Sequence, residues 1–165
     1  MNLEKFLENQ NKIYDDFRNN SIKENGTVPS ESIKGQSGYI ACFRHADHIT
    51  LPVSKFSHKI LENVPGIPYD PNNIHTTIFT YQVQNTSKFN PDKKIINKLY
   101  EIIQETPDRS EHPIISYGEW LNNQETLIFG GTPNESFVIY AEDFVNEADK
   151  MKIKLKMPWG AHIST

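Results

Sequence analysis

The sequence predicts an α+β domain in two pseudo-duplicated halves behind an N-terminal helix. Three observations lead there. Helix-period and strand-period apolar patterns alternate along the chain. Each half carries a strand-like segment reading His-x-Thr or His-x-Ser, at His75 and His162. A polar stretch over 20–37 separates the first helix from all that follows.

In order, Leu3, Phe6, Leu7, Ile13, Tyr14 and Phe17 recur at three- and four-residue steps, which predicts an amphipathic helix over 2–19. With its linker (1–37) this helix is expected as an extension to a main domain over 38–165. Gly38 to Arg44 reads as the first buried strand, and His45-Ala46-Asp47-His48 as the turn after it. A helix is expected over 51–64, with Pro52 in its first turn. Three prolines between Pro65 and Pro71 then break the chain. The first histidine strand spans about 73–84, is rich in Ile, Thr, Phe and Tyr, and closes at Asn85-Thr86-Ser87. A helix follows to about Glu105, with Asn90 and Pro91 as its start signals and Thr106-Pro107-Asp108 as its end.

The second half reads as strands at 114–121, 126–130 and 136–140. Turns are expected at Asn122-Asn123-Gln124 and Gly131-Thr132-Pro133-Asn134. From Glu142 the spacing of Phe144, Ala148, Met151 and Leu155 predicts a helix, taken through Lys152, although the stretch from Met151 to Met157 also alternates as a strand would. Pro158 and Gly160 lead into the second histidine strand, Ala161 to Thr165.

The chain has 165 residues, enough for one domain with a sizeable core. Mean hydropathy is −0.61, and no apolar run approaches the ~18–20 residues a membrane span needs. No signal-peptide pattern is visible. One cysteine, Cys42, excludes an internal disulfide framework and fits a reducing, cytoplasmic setting; its apolar surroundings predict a buried structural thiol. A net charge of −4 argues against a protein that tracks a long nucleic-acid backbone. Any nucleic-acid contact is expected to be local, and no membrane partner is expected.

In a strand, residues two apart share a face. His75 and Thr77 therefore point together, as do His162 and Ser164. If the two strands lie side by side, two imidazoles and two hydroxyls converge. Two histidines suit a reaction that removes one proton and donates another near neutral pH, and small hydroxyls suit phosphate oxygens. His45, His48, His58 and His112 have no such motif. His45, Asp47 and His48 are metal-ligand types, but at a spacing that matches no metal motif.

The two motifs, 87 residues apart (162 − 75), resemble the signature of the 2H phosphoesterase superfamily. The resemblance covers about 38–165. It implies antiparallel strands with helices outside, in two lobes around a central cleft, one motif per lobe. It implies a metal-independent phosphodiesterase, without cofactor, that hydrolyses a 2′,3′-cyclic phosphate or a 2′–5′ linkage of a nucleotide or RNA end. His75 and His162 would be the catalytic acid and base, in either order, and Thr77 and Ser164 the phosphate-binding hydroxyls. Tyr81, expected on the strand face of His75, and Trp159 are the aromatics nearest the motifs. The lysines at 150, 152, 154 and 156 could steer an anion. Family members usually continue past the second motif, so a further strand is expected beyond Thr165 in a longer chain, or from another segment. The alternative reading is a non-catalytic domain of the same fold that binds a nucleotide or RNA end. A third is a partner-binding protein whose working surface is the N-terminal helix.

Overall fold

The computed structural model describes residues 1–19, 26, 37–83, 90–108 and 111–165. The linker after the first helix and the Asn85-Thr86-Ser87 closure lie outside them. In chain order the elements are α1 (Leu3–Asn19), β1 (Ser37–Arg44), α2 (Asp47–Leu61), a 3-10 turn (Pro71–Asn73), β2 (His75–Val83), α3 (Lys93–Glu105), β3 (Ile115–Asn122), β4 (Leu127–Pro133), α4 (Glu135–Lys150) and β5 (His162–Ser164). The fold is α+β. One sheet has the order β1-β2-β5-β4-β3, with every neighbouring pair antiparallel. The two halves meet where β2 pairs with β5, so the histidine strands are neighbours at the centre of the sheet.

Three local expectations are corrected. Residues 136–140 are not a strand but the start of α4. Phe137, Val138, Ala141, Phe144 and Ala148 are buried at helical spacing, and the Asn134 side chain caps the helix by accepting from the Phe137 N–H at 3.1 Å. The turn expected over 131–134 is therefore the end of β4 and this cap. α4 ends at Lys150, and Lys152 adopts a positive φ of 58°. Beyond it Ile153 and Leu155 are buried between exposed lysines, and Thr80 bridges Lys156. There the strand-like alternation, not the helical one, decides. Thirdly, Asp47 and His48 belong to the first turn of α2 rather than to a turn before it.

The clusters that position the sheet are aromatic and aliphatic. Ile78, Phe79, Leu99, Ile102, Phe144, Ile153 and Leu155 join β2 to α3 and α4. Val53, Ile74 and Ile163 join α2 to β5, flanked by Tyr117, Trp120 and Phe129. α1 is part of this packing. Phe6 meets Phe137 edge-on, and Tyr14 lies against Leu121 and Ile128. Burying a side chain of that size is worth about 1.5–3 kcal/mol. The α1 stripe is thus spent on the domain interior. The Met1 amino group is ion-paired with Glu142 of α4.

Polar bonds fix where α1 docks. The Gln10 amide, 2% exposed, donates to the Gly131 carbonyl at 3.0 Å and accepts from the Ala161 N–H at 2.8 Å. The Tyr14 hydroxyl donates to the Ala161 carbonyl at 3.0 Å and accepts from the Gly131 N–H at 3.2 Å. Two α1 side chains therefore bind the backbone of β4 and of the residue just before His162.

Candidate active site

Thr76 pairs with Ile163 across β2 and β5. Opposed residues of an antiparallel pair share a face, and faces alternate along each strand. The flanking positions oppose His75 to Ser164 and Thr77 to His162, with all four side chains on the face away from Thr76 and Ile163. β4 extends one row with Ile128 beside Ser164 and the other with Gly130 beside His162. β1 extends them on the other side, with Arg44 opposite His75 and Cys42 opposite Thr77.

The four residues form a two-by-two checkerboard. The histidines occupy one diagonal and the hydroxyls the other. Strand spacing and rise put diagonal Cα atoms about 8 Å apart, enough for a tetrahedral group between the side chains.

Each imidazole is oriented the same way. His75 donates Nδ1–H to the Asn73 carbonyl at 2.6 Å, and His162 donates Nδ1–H to the Gly160 carbonyl at 3.1 Å. A carbonyl only accepts, so these bonds fix the tautomer and leave Nε2 with the lone pair. Among the described residues neither Nε2, nor the Thr77 or Ser164 hydroxyl, has a hydrogen-bond partner, and no buried side-chain polar atom is unsatisfied. All four functional atoms are therefore reached by solvent.

The histidines differ in environment. His75 is half-buried, whereas His162 is only 9% exposed. Burial pushes His162 down to about 4, helped by the nearby His75 and opposed by the Gly160 carbonyl. Trp159 stacks on its ring, with centroids 3.9 Å apart. Gly130, beside His162, leaves room for α1: a Cβ there would lie 3.0 Å from the Tyr14 ring.

The reverse face carries a separate polar group. The Thr76 hydroxyl bonds Tyr117 Oη at 2.5 Å and His45 Nε2 at 3.0 Å. His45 also meets Tyr117 edge-on, and burial, then His75, lowers its pKa. His45 thus braces β2 from behind the checkerboard.

The expectation that Tyr81 shares the His75 face is overturned. The β1–β2 register shifts between Ala41 and Cys42, which oppose Phe79 and Thr77 and leave Ile78 as the extra residue of a bulge. The bulge reverses the phase. Tyr81 opposes Tyr39 and packs with Phe79 on the core side, as does Phe43 opposite Thr76. His48 is exposed on α2, His58 donates Nδ1–H to the Ser54 carbonyl, and His112 is exposed. None joins the checkerboard. No group of three His, Cys, Asp or Glu side chains among the described residues is arranged to hold a metal ion. Of the lysine run, Lys150 is paired with Glu147. Cys42 is half-buried rather than fully buried, and this burial raises its thiol pKa against the lowering effect of Arg44.

Sequence reasoning missed Arg44, Gly130 and the Gln10–Tyr14 clasp. Their roles depend on which strand lies beside which, and no local pattern carries that. Comparison with protein families, curated proteins and solved structures finds no match for this chain.

Proposed function

We propose that the chain is a phosphodiesterase of the 2H type. It would hydrolyse a 2′,3′-cyclic phosphate or a 2′–5′ phosphodiester of a nucleotide or RNA end by two-histidine acid–base catalysis. The observation that carries the reading is the checkerboard: two imidazoles on one diagonal, both with Nδ1 tied to the carbonyl two residues upstream, and two hydroxyls on the other, with both Nε2 atoms and both hydroxyls unpaired among the described residues. In this reading the two chain halves are the lobes, and the open face over β2 and β5 is the floor of the cleft.

Roles follow from environment. His162 is kept neutral by burial, so its Nε2 takes a proton from water as that water attacks phosphorus. His75, the more exposed ring, gives a proton to the departing ribose oxygen as the P–O bond breaks. His162 ends protonated and His75 neutral, and solvent resets both. In-line displacement needs acid and base on opposite sides of phosphorus, and a phosphate bound between the ends of the diagonal would meet that need. Thr77 and Ser164 donate to the non-bridging oxygens, where charge grows in the transition state. Both protons are handled by imidazoles, so no metal ion is required.

The test is hydrolysis of the four 2′,3′-cyclic mononucleotides and a 2′–5′ dinucleotide in EDTA, by wild type, His75→Ala and His162→Ala. Turnover that drops at least ~100-fold in each variant is expected for loss of an acid or base. Turnover that survives both substitutions overturns the mechanism. Binding without turnover in the wild type would assign the chain to the nucleotide-binding alternative.

A further inference from the structure

Arg44 ends β1 directly opposite His75, in the checkerboard row that holds His75 and Ser164. Its guanidinium donates from Nη2 to the Asn72 carbonyl at 3.0 Å, while His75 is held by the next carbonyl, that of Asn73. Cation and imidazole are thus anchored on consecutive residues of one turn. The carboxylate of that turn, Asp70, is engaged by the Asn72 N–H and side-chain amide. Among the described residues Arg44 has no carboxylate partner. A guanidinium keeps its charge throughout the working pH range, and its planar fork of donors matches phosphate oxygens.

The place of this cation sets what it can reach. In the two-histidine reading the scissile phosphate sits between β2 and β5, where two hydroxyls serve its oxygens. The backbone of Arg44 lies one strand outward, about 7 Å from that centre, comparable with one nucleotide step along an extended backbone. We propose that Arg44 forms a second anion subsite, which takes the phosphate adjacent to the scissile one. This deepens, and rests on, the two-histidine reading. The substrate class it selects is a cyclic or 2′–5′ phosphodiester at an oligonucleotide end or on a 5′-phosphorylated nucleotide, in preference to an unphosphorylated cyclic nucleotide. The opposite flank, at His162, is lined by Trp159 and Tyr14, and the cation over Tyr14, Arg18, is already paired with Glu119 and Asp15.

The test compares a nucleoside 2′,3′-cyclic phosphate with its 5′-phosphorylated form as substrates. In parallel, calorimetry measures binding of a nucleoside 3′-monophosphate and a 3′,5′-bisphosphate. Wild type, Arg44→Ala and Arg44→Lys are used. The wild type is expected to favour the doubly phosphorylated ligand at least ~10-fold, from added charge-assisted bonds. Arg44→Ala should erase that preference and change the singly phosphorylated ligand less than ~3-fold, while Arg44→Lys keeps part of it. A preference that survives Arg44→Ala overturns the subsite, as do equal losses on both ligands or a wild type that binds neither. Selective binding without turnover would keep the subsite and reject the hydrolase. Turnover that needs both histidines but ignores Arg44 would do the reverse.

Discussion

Trp159 lies flat on His162, with 3.9 Å between ring centroids and 23° between planes. Phe17 of α1 stacks on Trp159, and Tyr14 meets it edge-on. The indole thus packs against both α1 and His162, and Trp159 is a wall for His162. α1 acts on the candidate site through this wall.

The contact makes Trp159 a reporter. An imidazolium quenches an indole stacked on it, so protonation of His162 should dim Trp159. In Trp120→Phe, which leaves Trp159 as the single tryptophan, quenching is expected with a midpoint near 4. His162→Gln should abolish it. A midpoint near the ordinary histidine value would show that burial does not hold this ring neutral.

The same burial predicts a pH dependence of stability. The unfolded chain takes up a proton at His162 near the ordinary value of 6.5, whereas the folded chain resists until about 4. The unfolded state therefore binds more protons in this window. Stability is fully present above about 6.5, falls as pH drops, and stops falling from this group below about 4. A tenfold difference in proton affinity between the two states is worth about 1.4 kcal/mol, so the full loss is about 3 kcal/mol. Urea unfolding at pH 7 and pH 5 should show a smaller loss in His162→Gln than in wild type. Equal losses would remove His162 from the acid sensitivity.

Adjacent threonines should fail differently. Thr76→Val takes the shorter bonds from Tyr117 Oη and His45 Nε2 and leaves them only their mutual one at 3.4 Å, which should cost about 1 kcal/mol of stability. Thr77→Val removes a hydroxyl with no hydrogen bond among the described residues. It should leave the urea midpoint nearly unchanged and lower kcat/KM by about 10²-fold, the scale of one lost transition-state donor. The opposite pattern would place the phosphate on the other face of β2.

The α1 clasp should be structural. Gln10→Ala leaves the Ala161 N–H and Gly131 carbonyl short of a buried partner, at a cost of about 1–3 kcal/mol per group. Gly130→Ala should be destabilising as well, because its methyl would press on the Tyr14 ring. Both are read by thermal unfolding. If either leaves Tm unchanged, α1 is not held where these contacts put it.

Local physics was legible in the sequence where one period ruled. The α1 stripe of Phe6 and Tyr14 and the start of β2, where His75 and Thr77 alternate with the buried Ile74 and Thr76, read correctly. It misled where two patterns overlapped: Ser136 to Tyr140 holds strand-forming residues but is recruited into a helix by the Asn134 cap. The phase of Tyr81 was lost to a bulge at Ile78, whose extra residue is visible only against the facing strand.

The motif residues themselves were legible, since strict alternation dictates that His75 and Thr77, and His162 and Ser164, share a side. Their diagonal arrangement was not, because it depends on the pairing of Thr76 with Ile163 across most of the chain. Nor was the place of β5. It sits between β2 and β4, and beyond it the Thr165 hydroxyl donates to the Leu127 carbonyl. The sequence specified the side chains and their local phase, through rules spanning a few residues. Long-range strand order placed the cation beside His75 and buried His162 under Trp159, because register and desolvation belong to neighbours that are distant along the chain.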